Sequence, residues 1–293
     1  MNNIIWLASY PKSGNTWLRL ILSALLFTND GKFKDFDLLK NITKFDKLKF
    51  FDFIKNISLS DYEIIFKNKE VDDQVMLTIF KYSIEAQKTL CRQDRILFFK
   101  THNARIKMNN YYYTDKSTTL GYIYISRDPR DVVISYSKYL KQDCNDVIEY
   151  LTNGQIRDKK IVGGLLPEIH LNWSNHYLSW KNFNQVPRLF LKYENFLTDL
   201  EAEILKIINF LENNFNINVN NKTIKIKNIV ENTDFNFLKK LEKEKGFTEI
   251  PDRIKSNFFR KGKTQQWVND LSSEQKNKIE KSSEFVMKEL EYL

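Results

Sequence analysis

Lys12, Ser13, Gly14, Asn15 and Thr16 lie between a short apolar run and a longer one, and they are the first place where chemistry is expected. A helix that starts here leaves several N–H groups unpaired and turns the positive end of its dipole outward. A preceding lysine and flanking hydroxyls make such a start an anion site. An ATP-type loop would need two glycines and a closing Gly-Lys-Ser/Thr. Here Lys12 precedes the single Gly14, so the loop is phosphate-binding in style but not of the Walker type. The plain alternative is an ordinary turn carrying a surface lysine.

Three further groups of residues have comparable potential. Lys100, Thr101 and His102 end an apolar strand-like run, and ligands of open parallel sheets sit beyond the carboxyl ends of strands. His102 is one of only three histidines; a lone histidine is usually a core or surface residue, and its neighbour Lys100 sets this one apart. Its working form as a base is the neutral imidazole, with a pKa of about 6.5 if unperturbed. Arg127 ends another apolar run, with Ser135 eight residues later. A forked guanidinium plus a hydroxyl suits a phosphate, although Arg130–Asp131 next to it could equally form a surface salt bridge. Arg260, Lys261 and Gly262 make a basic loop whose glycine permits close backbone approach. His170 and His176 are six apart and would not share a helix face, so no metal pair is expected.

Positioning these groups requires an alternation of strands and helices. Ile4 to Leu7 reads as a buried strand that Pro11 stops, and Leu18 to Leu26 as a helix. Val75, Ile79, Tyr82 and Ala86 give Asp73 to Cys91 a helical period, and Ile96 to Phe99 form the strand leading to Lys100. Tyr122 to Ser126 are a strand, Asp128 and Pro129 a turn, and a helix runs from Val132. Leu165 to Asn182 reads as one amphipathic helix, with Trp173 and Trp180 a heptad apart. Pro187 opens a strand that ends at Tyr193; Glu194 to Asn213 and residues 223–245 follow as helices. Ser272 and Gln275 form the capping box of a last helix. Residues 28–60 are rich in phenylalanine without a clean period, which fits either an acceptor pocket or plain core packing.

Size and composition bound the answer. The chain has 293 residues, 42% hydrophobic and 14% aromatic, which allows a full core and excludes global disorder. The net charge of +9 comes from lysines scattered along the whole chain, so no nucleic-acid surface is read from it. The longest apolar stretch, Leu18 to Phe27, is too short to span a membrane and contains Arg19. Cys91 and Cys144 are too few and too distant for a disulfide framework or a cysteine metal site. The first strand begins almost at Met1, leaving no room for a secretory signal, and a cytoplasmic enzyme is expected.

The segment SYPKSGNTW resembles the 5′-phosphosulfate loop of the PAPS-dependent sulfotransferases, usually YPKSGTTW, with Asn15 as a departure. Other elements of that family follow in order: K-T-H at Lys100–His102, the Arg127/Ser135 pair, W-x-x-H-x-x-x-W from Trp173 and L-x-Y-E with Tyr193. T-x-F at Thr233 and Phe235 comes next, and then RKG with Trp267. In the last, Gln265 and Gln266 replace the family's Gly-Asp and put the local turn in question. The resemblance implies a single α/β domain over residues 1–293, a central parallel sheet flanked by helices, with PAPS as co-substrate, PAP as product and no metal. It implies nucleotide contacts from Lys12, Ser13, Gly14, Asn15, Thr16, Trp17, Arg127, Ser135, Tyr193, Thr233, Phe235, Arg260, Lys261 and Gly262. It makes His102 the base and Lys12 and Lys100 the groups that neutralise developing charge, with a small-molecule or glycan hydroxyl as acceptor. Neither the acceptor nor the oligomeric state can be read. A nucleotide-dependent kinase and an inactive nucleotide-binding module are the alternatives. The missing second glycine opposes the first, and the retention of Lys12, Lys100 and His102 opposes the second.

Overall fold

The run Ile4–Ala8 forms strand β1, and all five of its residues are buried. A strand covered on both faces has no polar side to alternate with, which is why its sequence is apolar throughout. The computed structural model describes residues 2–68, 70–91, 95–154, 160–247, 249 and 258–293. The other strands are β2 (Thr43–Lys44), β3 (Leu97–Thr101), β4 (Lys107–Met108), β5 (Tyr111–Tyr112), β6 (Thr119–Ser126) and β7 (Arg188–Lys192). Among the described residues, β1 is the middle strand of a sheet ordered β2-β3-β1-β6-β7, and β4 and β5 form a separate hairpin. β1 runs parallel to β3, with Ala8 opposite Thr101, and parallel to β6, with Ala8 opposite Tyr124. The fold is α/β, with a central parallel sheet flanked by helices.

Two compact units divide the chain. The first comprises Met1–Tyr10, Lys44–Tyr124 and Tyr150–Arg188; the second comprises Pro11–Thr43, Ile125–Glu149 and Leu189–Leu293. In the first, Trp6 is fully buried, packs edge-on against Phe45 and donates its indole N–H to Thr119 Oγ1 at 3.0 Å. The helix Asp73–Leu90 starts on Asp72, whose side chain accepts from the Val75 N–H, and buries Val75, Ile79, Tyr82 and Ala86 as its period requires. The second unit contains the helix Asn15–Phe27. Its buried Arg19 donates to the carbonyls of Leu39 and Ile42 and pairs with Glu249 at 2.7 Å. Phe36 stacks on Phe259 and meets Phe247 edge-on. The phenylalanine-rich stretch therefore serves two cores: Phe33 and Phe36 pack in the second unit, while Phe45 and Phe51 are buried in the first.

Several element boundaries differ from the sequence reading, each for a local reason. The expected Leu165–Asn182 helix is only Trp173–Lys181, because Asn172 caps it and Leu171 takes a left-handed φ of 57°. The helix expected from Val132 begins at Pro129, whose fixed φ suits the first turn, with Asp128 as its cap. Tyr193 opens a short helix, Tyr193–Thr198, and Asp199 caps a second, Leu200–Phe215. Residues 223–245 are likewise two helices, Lys222–Asn232 and Phe235–Lys245, with Asp234 capping the second. The Ser272/Gln275 capping box is present. Among the described residues, no helix is long and apolar enough to cross a membrane.

Candidate active site

The phosphate-type loop belongs to the second unit. Gly14, at φ 98°, caps the helix Asn15–Phe27 with no side chain supplying a capping hydrogen bond. A Cβ at Gly14 would lie 2.6 Å from Cδ2 of Tyr193, so glycine is required by both its φ and its neighbour. Lys12 is also left-handed, at φ 66°, and its ammonium stands 4.2 Å from the Tyr139 ring centroid and 4.3 Å from that of Phe258. Arg127 is buried; its guanidinium lies over Tyr193 at 4.2 Å and donates to the carbonyls of Lys12 at 3.3 Å and Lys263 at 3.1 Å. Trp17 meets Tyr193 and Phe196 edge-on at 5.8 and 5.4 Å. Among the described residues, buried Ser13 Oγ, Trp17 Nε1 and Arg127 Nε have no hydrogen-bond partner. Such polar groups, beside a basic side chain and aromatic rings, fit an aryl-bearing anion such as a nucleotide.

The late basic loop is anchored by a residue that sequence reasoning missed. The buried Asp131 carboxylate accepts the backbone N–H groups of Gln265, Gln266 and Trp267 at 2.7, 2.9 and 3.3 Å. It does not pair with Arg130, which binds Asp128 at 2.7 Å and Glu280 at 2.6 Å and lies 3.6 Å over Trp267. Gln265 takes φ 57°, the conformation for which a glycine is the easy choice. Gly262, at φ 59°, has Phe235 so close that a Cβ would stand 2.2 Å from Cδ2. The RKG and T-x-F elements are thus packed together. Arg260 donates to Gln266 Oε1 at 3.2 Å, and the exposed Lys261 lies 4.0 Å from Asp270. Ser135 is half-buried on the helix Pro129–Leu140, and the Thr233 hydroxyl donates to the Ile229 carbonyl at 2.8 Å.

The first unit gathers the chain's three histidines, all buried. The end of β1 pairs with the end of β3, where Ser9 N–H donates to the Thr101 carbonyl at 3.4 Å. That register brings the Ser9 carbonyl within 2.8 Å of His102 Nδ1, with Ser9 Oγ at 3.2 Å. A carbonyl can only accept, so Nδ1 carries the proton and Nε2 is the basic nitrogen. His176 Nε2 donates to the His102 carbonyl at 3.0 Å, and the Tyr124 hydroxyl is 2.9 Å from His176 Nδ1. The Tyr10 ring meets both His170 and His176 edge-on. Lys100, two residues before His102, is buried. Burial, followed by the charge of Lys100, pushes the His102 imidazole well below 6.5, against the pull of Glu168. The unperturbed value expected from sequence therefore does not apply. Among the described residues, no group of His, Cys, Asp and Glu side chains could hold a metal ion.

The sulfotransferase domain family matches residues 2–291. The chain is 27% identical to flavonol 3-sulfotransferase of Flaveria bidentis over 287 residues, covering 95% of this chain and 80% of that one. It is 25% identical to cytosolic sulfotransferase 15 of Arabidopsis thaliana over 283 residues, covering 95% of this chain and 70% of its relative. Its fold is similar to that of retinol dehydratase in a complex with retinol and PAP, with TM-score 0.61 and 21% identity over 98% of this chain and 82% of the other. The phosphate-type loop, the ordered late loop and the histidine-bearing strand end thus lie within one matched domain. The chain is a member of the sulfotransferase family, whose enzymes use PAPS as the sulfuryl donor.

Proposed function

We propose that residues 1–293 act as one sulfotransferase domain moving the sulfuryl group of PAPS to a hydroxyl of a small-molecule acceptor, with His102 as general base. The observation that carries the base assignment is the Nδ1 contact with the Ser9 carbonyl, which fixes the tautomer and leaves Nε2 to receive a proton. In the reaction the acceptor oxygen forms a bond to sulfur as the bond from sulfur to the nucleotide phosphate oxygen breaks, and the acceptor's proton passes to Nε2. Lys12 and Lys100 neutralise charge growing on the bridging and sulfuryl oxygens. Ser13, Gly14, Asn15 and Thr16 hold the 5′ end at the helix start, and Trp17, Tyr193, Thr233 and Phe235 enclose the adenine. Arg127, Ser135, Arg260, Lys261 and Gly262 hold the 3′-phosphate. A sulfuryl group carries less charge than a phosphoryl group, so lysines can do the work that a metal does in kinases.

The acceptor reading is supported by relatives such as flavonol 3-sulfotransferase and by the aromatic pocket wall formed by Phe45, Phe51, Phe80 and Tyr113 in the first unit. A glycan acceptor has no such support. The relatives named as cytosolic support a cytoplasmic location. The decisive experiment is paired: thermal shift with adenosine 3′,5′-bisphosphate against ATP–Mg²⁺, and transfer of label from PAPS to phenolic acceptors in wild type and His102→Ala. A larger shift with the bisphosphate, and turnover lost by about a hundredfold or more in the variant, is expected. Preference for ATP–Mg²⁺ would favour a kinase; wild-type turnover in His102→Ala would remove the base assignment.

A further inference from the structure

The strap leading to the helix Trp173–Lys181 is pinned at both ends. Leu166 N–H donates to the Asp46 carbonyl at 2.6 Å, Ile169 N–H to Asn103 Oδ1 at 2.8 Å, and Ala104 N–H to the Ile169 carbonyl at 2.7 Å. Between these anchors the strap carries Glu168, which is 7% exposed, against the end of β3. Glu168 Oε1 accepts the backbone N–H of His102 at 2.8 Å, and Oε2 lies 3.7 Å from His170 Nε2. The His170 and His102 rings are perpendicular, 6.2 Å between centroids, and Tyr150 pairs with His170 Nδ1. A buried carboxylate with cationic and donor partners on this scale is a built feature, because burial without them would be costly.

We propose that Glu168 is a positioning residue for sulfuryl transfer: it clamps the backbone of His102 and supplies the negative charge that supports the imidazolium formed when His102 takes the acceptor's proton. The proposal rests on the His102 base reading above. Burial alone would raise the Glu168 carboxyl, but its contact with His170 and the charge of Lys44 hold it well below the usual carboxylate range, so it is ionised at neutral pH. The groups that bear on His102 are Lys100 from β3, His170 and Glu168 from the strap, and Ser9 from the end of β1; among these charges only Glu168 favours the protonated ring. Asp46 also faces this region, and burial followed by the Glu168 charge lifts it to about 6. Without Glu168, a protonated His102 would sit buried next to Lys100 and lose the carboxylate that favours its charge. The clamp and the charge are separable, because a glutamine at 168 keeps an oxygen for the His102 N–H and loses the charge.

The test is a double-mutant cycle on PAPS turnover with 2-naphthol, comparing wild type, Glu168→Gln, Glu168→Asp, His102→Ala and the Glu168→Gln/His102→Ala pair. Glu168→Gln should lower kcat about tenfold or more while leaving the affinity for adenosine 3′,5′-bisphosphate unchanged, and Glu168→Asp should recover part of the loss. In the His102→Ala background Glu168→Gln should cost nothing further, because the carboxylate acts only through that ring. A merely structural residue would lower turnover equally in both backgrounds, and that result would overturn the proposal. Wild-type turnover in His102→Ala would instead sink the base reading beneath it. Imidazole ¹⁵N NMR of the bisphosphate complex gives a readout that needs no acceptor: the protonation midpoint of His102 should fall in Glu168→Gln. Asp46→Asn serves as the control for the neighbouring carboxyl. The same His102 protonation profile in wild type and Glu168→Gln would overturn the proposal.

Discussion

At the scale of single residues, the proposed nucleotide contacts divide into groups that would only bind and groups that also hold the loop. Among the described residues Arg260 donates to the Gln266 side chain, whereas Arg127 ties Lys12 to Lys263 through two carbonyls. Arg260→Ala should therefore weaken binding of adenosine 3′,5′-bisphosphate by about 1.5–3 kcal/mol, the scale of a charge-assisted hydrogen bond, and leave adenosine 5′-phosphosulfate nearly untouched. Arg127→Ala should weaken both ligands, because the Lys12 turn loses a tie. Calorimetric titration of the two ligands checks this; equal losses for both ligands in Arg260→Ala would move that arginine away from the 3′-phosphate. His102 gives a second residue-level expectation. Its ring is held neutral well below 6.5 by burial and by Lys100, so wild-type turnover should stay flat as pH falls from about 8 to about 6.5. A profile that halves near pH 6.5 would mean that the working base is not this buried imidazole.

At the scale of elements, the late basic loop shows how a turn can keep its shape after its glycine is gone. The three N–H groups at 265–267 converge on Asp131, and that anchor holds Gln265 at φ 57°. A non-glycine residue in the left-handed region costs roughly 1–2 kcal/mol. Gln265→Gly should relieve that cost, offset by the greater freedom of glycine in the unfolded chain, for a net gain of about 0.5–1 kcal/mol in urea unfolding. Asp131→Ala should do the opposite, leaving loop N–H groups without an acceptor and costing about 1–3 kcal/mol for each one that stays buried. If Gln265→Gly destabilises, the anchor rather than the backbone conformation sets the energy of the turn.

At the scale of the whole molecule, buried histidines make stability depend on pH. His176 is pushed down to about 3, chiefly by burial, while in the unfolded chain it should titrate near 6.5. Between those values the unfolded state binds more protons, so stability falls as pH drops from about 6.5. His102 contributes with the same sign, and Asp46 opposes them: its carboxyl is lifted to about 6, so its contribution is lost as pH rises through that value. His176→Gln can keep both hydrogen bonds without titrating. Urea midpoints measured from pH 7.5 to pH 5 should fall less steeply in this variant than in wild type, and parallel lines would show that His176 titrates no differently when folded.

The sequence by itself determined the parts whose information is local. An unbroken apolar run specifies a buried strand, Pro11 and Gly14 specify the break and the turn, and Ser272 with Gln275 specifies a helix start. The order of SYPKSGNTW, K-T-H and RKG was enough to identify the family. Tertiary structure decided what depends on residues distant in the chain. Arg130–Asp131 reads as a salt bridge, yet Asp131 faces a loop more than a hundred residues later, which no local pattern encodes. The Leu165–Asn182 reading put Glu168 inside a helix, but Asn172 and the left-handed Leu171 start that helix late and leave the carboxylate on the backbone of His102. His102 could be picked out by its strand end. Its tautomer and depressed pKa came only from Ser9, across the β1–β3 register, and from burial, because hydrogen-bond partners and desolvation are properties of packing and not of neighbours in sequence.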